Sequence, residues 1–281
     1  SIIAGDDDQA IYKWNGADAD SFINLEGEKV ILQQSYRVPQ KIFNVANNII
    51  KKVKNRVEKN WVPKEDLGEV KYHWEIDKVD LSEGEWLILA RTNLFLEKIA
   101  YYLDQNDFYF QRRNSTPRVK NIYSLIENWN KLREGIPLHY NDYKKITNKM
   151  SKNVDLKSMK HMSKEDFYDM DTLKEKYGLK TDEEWYIAFD DLGDHEISKI
   201  QKLIKNGEDL SKDPRIKIST IHGVKGNERD NVVLITDLSN AAYYKYLDNP
   251  DDEHRLFYVG VTRAKKELNI IYAKTERGYD I

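Results

Sequence analysis

The sequence predicts an α/β protein, with a largely parallel sheet flanked by helices and interrupted by a mainly helical insertion. Three observations carry that prediction. WLILA (86–90) is a continuous apolar run, as a strand covered on both faces requires. Strand-like and helix-like periodicities alternate over residues 20–111, the pattern of βα units. β-rich runs return after Pro214, once a long stretch of helical character has passed.

The elements follow in order. SIIAGDDDQAIYKWNGAD (1–18) reads as a short apolar strand at Ile2–Ala4 that runs into a carboxylate-rich turn. EKVILQQ (28–34) reads as a second strand. Pro39 stands where a helix can begin, and Ile42, Ala46, Ile49, Ile50 and Val53 recur at helical spacing. EVKYHW (69–74) places Val70, Tyr72 and Trp74 on one face of a half-buried strand. NLFLEKIAYYLDQNDF (93–108) gives a helix and FYFQ (108–111) a short strand. From Arg112 to about Pro214, VKNIYSLIENWNKLREG and ISKIQKLIKNGEDL typify helices with dense mixed charge, the mark of a solvated insertion. RIKIST (215–220), NVVLIT (231–236) and ELNIIYA (267–273) are strands, with HRLFYVGVTRAKK (254–266) a helix between the last two.

Composition narrows the class. Hydrophobic residues make up 40% of the 281 and charged residues 33%, which describes a globular protein with a solvated surface. No run approaches the roughly 18 apolar residues of a membrane span, and no signal-peptide pattern is present. With no cysteine, disulfides and thiolate metal sites are excluded; the six histidines are scattered without metal-ligand spacing, so no metal site is expected. A net charge of −3 leaves the partner open, because phosphate contacts depend on where cations stand and not on their sum.

Three segments could carry chemistry. In QQSYRVPQ (33–40), Tyr36 and Arg37 directly follow a predicted strand. An aromatic face beside a planar guanidinium suits a nucleotide base and its phosphate, although an ordinary surface pair reads the same way. ISTIHGVKGNERDNVVL (218–234) begins at a strand end with Thr220 and His222 and passes two glycines. It is not a Walker A loop, since G-x-x-x-x-G-K-[ST] occurs nowhere in the chain, and strand–turn–strand is the plain alternative. EHRLFYVGVTRAKKEL (253–268) sets Arg255, Arg263, Lys265 and Lys266 on the predicted helix, where any single one reads as solvent decoration.

Together with GDDDQAIYKWNGAD, these segments resemble the UvrD/Rep/PcrA-like family of superfamily 1 DNA helicases, motors built from two RecA-like (P-loop NTPase-like) domains. Residues 5–18 resemble the family's motif III, QQSYR its motif IV, LARTN (89–93) its motif IVa, TIHGVKGNERDNVV its motif V and LFYVGVTRAKKEL its motif VI. The likeness covers both ends of the chain but not residues about 135–212. It implies a remnant of the first RecA-like domain at 1–20, a second RecA-like domain at 21–111 and 213–281, and an inserted helical subdomain at 112–212. Walker A and Walker B, expected upstream in such proteins, are not in this sequence. The resemblance therefore implies the C-terminal motor half of an ATP-dependent DNA helicase, inactive on its own, with 3′→5′ polarity and a cytoplasmic, bacterial or phage setting.

The roles implied by the resemblance are specific. Gln9 senses the γ-phosphate and orders water; Arg37 and Arg263 reach the γ-phosphate; Tyr36 stacks on adenine; Glu228 binds ribose. Asn227 and Arg229 flank that glutamate where the family usually has apolar residues. Trp14 and Tyr12 meet DNA bases, Thr220 and His222 the DNA backbone, with Arg91 and Asn93 as further DNA contacts. ATP with Mg2+, held mainly by the first domain, is the implied cofactor. DNA, single-stranded and duplex, and that first domain are the implied partners. The alternative is a non-catalytic DNA-binding or protein-interaction module that kept the fold, in which Arg37 and Arg263 would be free to decay; both are present.

Overall fold

The structure, a computed structural model, describes residues 2–12, 16, 19–113, 115–224 and 226–281. Six parallel strands form its sheet: β1 (Glu69–His73), β2 (Trp86–Ala90), β3 (Phe110–Arg112), β6 (Ile216–Thr220), β7 (Arg229–Ile235) and β8 (Ala264–Ile271). Their spatial order is β1-β8-β7-β2-β6-β3, with every neighbouring pair parallel. β2 lies between β7 and β6 with all five residues buried, which is why its sequence is apolar without alternation. This is the RecA-like α/β sheet that the sequence predicts.

One face of the sheet is closed by α2 (Gln40–Ile50) and α10 (Pro250–Val261). Ile42, Ala46, Ile49 and Ile50 of α2 interlock with Leu256, Phe257 and Val261 of α10 over Leu87, Leu89, Val232, Leu234, Leu268 and Ile270. α3 (Asn93–Gln105) joins β2 to β3 and lies against β2 and β6, burying Leu96, Ile99 and Leu103 outside that core. α1 (Ala19–Ile23) and α9 (Asn240–Asp248) complete this unit, which takes in residues up to Gln105, the β3 segment and everything from Arg215 to Ile281. The opening residues group with this unit.

The inserted residues form a second compact unit with its own core. In α4 (Arg118–Arg133), Ile122, Ile126, Trp129 and Leu132 make a buried stripe at helical spacing. They pack with α5 (Tyr140–Thr147), α6 (Met170–Lys176), α7 (Trp185–Ala188) and α8 (Asp194–Lys205). A two-stranded antiparallel ribbon, β4 (Leu138–His139) with β5 (Phe167–Tyr168), and an antiparallel bridge between Val154 and Leu179 are features of this unit that the helical periodicity does not signal.

Three sequence expectations are corrected. Ile2–Ala4 is not a strand, and Ile2 and Ile3 are exposed. Residues 28–34 reduce to a single bridge between Gln34 and Val62, with Val30 and Leu32 in solvent. Both segments have the apolar pattern of a strand, but the first has no ladder partner among the described residues and the second meets one only at Gln34, and a pattern cannot supply a neighbour. The helix predicted over 254–266 ends at Val261. There Thr262 Oγ1 and Arg263 Nε both donate to the Val259 carbonyl, at 3.1 and 2.9 Å, closing the helix so that Ala264 can start β8.

Candidate functional site

Because every strand points the same way, the candidate residues divide between two ends of one sheet. Glu228 and Arg263 precede β7 and β8; Arg91, Thr220 and His222 follow β2 and β6 or end the latter. The segment 6–12 reaches both groups.

At the strand-entry end, the Arg263 guanidinium is buried, 1% exposed. Nε donates to the Val259 carbonyl, while Nη2 donates to Gln9 Oε1 at 3.3 Å and Thr262 Oγ1 at 3.3 Å. All these acceptors are neutral. Burial first, and the nearby charge of Arg37 second, push the Arg263 pKa down to about 10. Arg37 Nη1 donates to Glu228 Oε2 at 3.0 Å, and Lys265 Nζ lies 3.2 Å from Glu228 Oε1. Burial alone would raise the Glu228 carboxyl, but the Arg37 and Lys265 hydrogen bonds outweigh it and hold its pKa below the usual range. Arg37 Nε is buried with no hydrogen-bond partner. An orphaned guanidinium donor on the half-buried Arg37, beside the buried Arg263, is a fit for phosphate oxygens.

Gln9 is set by a carboxylate clamp. Asp7–Gln9 forms a single 3-10 turn, with Asp6 as its cap. Gln9 Nε2 donates to Asp6 Oδ2 at 2.6 Å, which leaves Oε1 turned to Arg263. Asp7 and Asp8 are buried and matched by cations from the loop after α2. Arg56 makes a bidentate pair with Asp8 (2.9 and 2.7 Å), and Lys59 binds Asp6 and Asp8 at 3.0 Å and also Asp7. Burial would raise the Asp7 carboxyl, yet Lys59 and the Val57 amide bring its pKa below the ordinary value. Arg255 Nε donates to the Asp7 carbonyl at 3.0 Å, so this buried arginine is a structural strut and not solvent decoration.

Tyr36 stands alone, 88% exposed. Neither it nor Arg37 follows a strand of the sheet, so the strand-end argument for this pair does not hold; the Ser35 hydroxyl, accepting from the Arg37 and Val38 amides, shapes the bend instead. Arg229, one of the polar residues flanking Glu228, donates to the Glu228 carbonyl and lies 3.4 Å from Glu85. The β7/β8 register slips between Arg229 and Asn231, beside Lys265.

At the strand-exit end, the Tyr12 hydroxyl donates to the His222 carbonyl at 2.5 Å, with ring centroids 6.3 Å apart. Thr220 Oγ1 accepts from the Gly223 amide at 3.1 Å and starts the turn that carries His222. Burial, then the positive charge of Arg91, push His222 down to about 4, so its imidazole is neutral at pH 7. Arg91 Nε donates to Glu253 Oε1 at 2.6 Å. Asn93 is not drawn into this group: its Oδ1 accepts from Arg113 Nη2 at 2.5 Å. Trp14 lies outside the described residues.

Sequence reasoning missed Arg56, Lys59 and Glu253. The signal for the first two was the Asp6–Asp8 run, since buried carboxylates demand cations. Glu253 had no local signal, because its partner is 162 positions away in sequence.

Residues 89–275 match the UvrD-like helicase C-terminal domain, a span that takes in the inserted unit and leaves the Gln9 and Arg37 segments outside it. The ATP-dependent DNA helicase PcrA of Bacillus subtilis is 22% identical over 97% of this chain and 51% of its own length. Two further relatives carry the same name. That of Staphylococcus epidermidis is 31% identical over 31% of this chain and 12% of its own length. That of Staphylococcus aureus is 33% identical over 31% and 12% respectively. The chain thus spans about half the length of the Bacillus relative. No helix among the described residues is long and apolar enough to cross a membrane. With the parallel RecA-like sheet and the match over residues 89–275, this chain belongs to the UvrD-like helicase C-terminal domain family.

Proposed function

We propose that the sheet unit is the second motor half of an ATP-dependent DNA helicase that moves 3′→5′ along single-stranded DNA. One observation carries the reading: Arg263 is buried, yet no carboxylate hydrogen-bonds it among the described residues. A desolvated cation supported only by neutral acceptors is held for an anion that arrives from elsewhere. Arg37, with its buried Nε unpartnered, is the second donor.

ATP, when bound, supplies the phosphoanhydride and, with its Mg2+, is cradled mainly by a first RecA-like domain. The residues of this chain do the rest. Arg263 and Arg37 offer preset donors to the γ-phosphate, a role worth roughly 10³–10⁵ in rate for such arginines. Gln9 exchanges its Arg263 contact for the attacking water. Tyr36 offers an exposed ring to adenine, and Glu228 accepts from ribose. At the other end, Thr220, neutral His222 and Arg91 take the DNA backbone, and Tyr12 meets a base; stacking on an aromatic ring is worth roughly 1–3 kcal/mol per base. Gln9 and Tyr12 are three residues apart, so one short segment joins the nucleotide end to the strand end.

The test uses the purified chain. It should bind a fluorescent oligo(dT), with affinity that falls as salt rises, and show no steady ATP turnover. Sustained turnover by the chain alone, abolished by none of the Arg37 or Arg263 substitutions, would overturn the assignment.

A further inference from the structure

Glu253 is an unusual residue for its position. It sits in the first turn of α10, where carboxylates favour the helix N-terminus, but unlike its neighbours Asp251 and Asp252 its side chain is buried, 4% exposed. Burial raises its pKa, and the Arg91 charge only partly offsets that. A buried ion pair is a weak source of stability, since apolar residues of similar volume often serve as well or better. What such a pair does supply is a fixed direction. Arg91 directly follows β2, and its Nε–H is committed to Glu253 Oε1 at 2.6 Å, which sets the plane of the whole guanidinium. The charge so fixed is felt by His222, on the turn after β6.

We propose that Glu253 is a positioning residue for the strand-binding end: its buried carboxylate orients the Arg91 guanidinium beside His222, so that Arg91 meets a phosphate of single-stranded DNA without reorganisation. This rests on the reading of that end as a DNA site and adds to it. It also gives α10 two tasks, since the same helix leads at its other end into Arg263. Freed from Glu253, Arg91 would still carry its charge to the phosphate but would lose freedom on binding that it does not now have to lose.

The test is oligo(dT) affinity of the full 281-residue chain across a salt series, for wild type, Glu253→Gln, Arg91→Ala and the double variant. Glu253→Gln should weaken binding about threefold to tenfold with the salt slope unchanged, because the phosphate contact survives. Arg91→Ala should lower the slope by about one. The double variant should bind no more weakly than Arg91→Ala. A spectroscopic readout follows the lock itself: the Arg91 Nε–H resonance should exchange slowly in the wild type and be lost in Glu253→Gln. Arg91→Lys, which keeps a cation over Glu253 and so guards against misfolding, should keep the salt slope and weaken binding. Additive losses in the double variant, or a Glu253→Gln chain that binds like wild type, overturn the positioning role while leaving the DNA site intact. A wild-type chain that does not bind oligo(dT) overturns the DNA reading and this proposal with it.

Discussion

Replacing Asp8 with alanine should loosen the clamp that sets Gln9. Asp8 is fully buried and takes two hydrogen bonds from Arg56 and an ion pair from Lys59, whose side chains are 13% and 17% exposed. Breaking a buried pair by removing one partner costs about 3–5 kcal/mol. Lys59 retains Asp6 and Asp7, so only Arg56 loses its matched carboxylate, and the cost should fall near the lower end, about 3 kcal/mol. Arg255 still holds the Asp7 carbonyl, which confines the damage to the loop after α2. Amide hydrogen exchange is the suitable assay because the effect is local. The Val57 amide, which donates to Asp7 Oδ2 at 2.8 Å, should exchange about a hundredfold faster, at roughly 1.4 kcal/mol per factor of ten. Asp142→Ala, which removes an exposed pair with Lys145, is the control and should change little. Val57 protection within threefold of wild type in Asp8→Ala would refute the clamp.

Two further outcomes follow from the same geometry. Folded His222 takes a proton only near pH 4, whereas the unfolded chain does so near 6.5, so between those values the unfolded state binds more protons and stability falls as pH falls. Protonation linkage over that window is worth up to about 3 kcal/mol; urea midpoints from pH 7 to 4.5 should drop more steeply for wild type than for His222→Gln, and parallel curves would contradict the burial of a neutral imidazole. Gly68 has φ +65°, and an added Cβ would lie 2.5 Å from Pro39 Cβ at the start of α2. Gly68→Ala should therefore lower stability by about 1–3 kcal/mol in thermal melts, and an unchanged melt would contradict the close approach.

The sheet was legible where burial dictates composition. β2, β7 and α2 announced themselves because a strand covered on both faces must be apolar and a helix on a sheet must carry a stripe. Residues 28–34 misled because the same pattern says nothing about whether a neighbouring strand exists. Arg263 is buried beside Gln9, but the helix predicted over it ends at Val261. The end of α10 is fixed by Thr262 and Arg263 bonding the Val259 carbonyl, an arrangement that spacing cannot reveal. The Asp6–Asp8 turn looked merely polar because its cations lie some fifty positions further along. Glu253 was hidden by a similar cause: among three acidic residues at a helix start, only the folded chain distinguishes the buried one.

The central claim is that Arg263 waits, buried, for a phosphate brought by another domain. It is tested most directly by DNA-stimulated ATP hydrolysis of a motor in which this chain is joined to a first RecA-like domain, as proposed, comparing wild type with Arg263→Ala. The account predicts that kcat falls by about 10³ or more while oligo(dT) affinity stays within about threefold. A kcat within tenfold of wild type would contradict it.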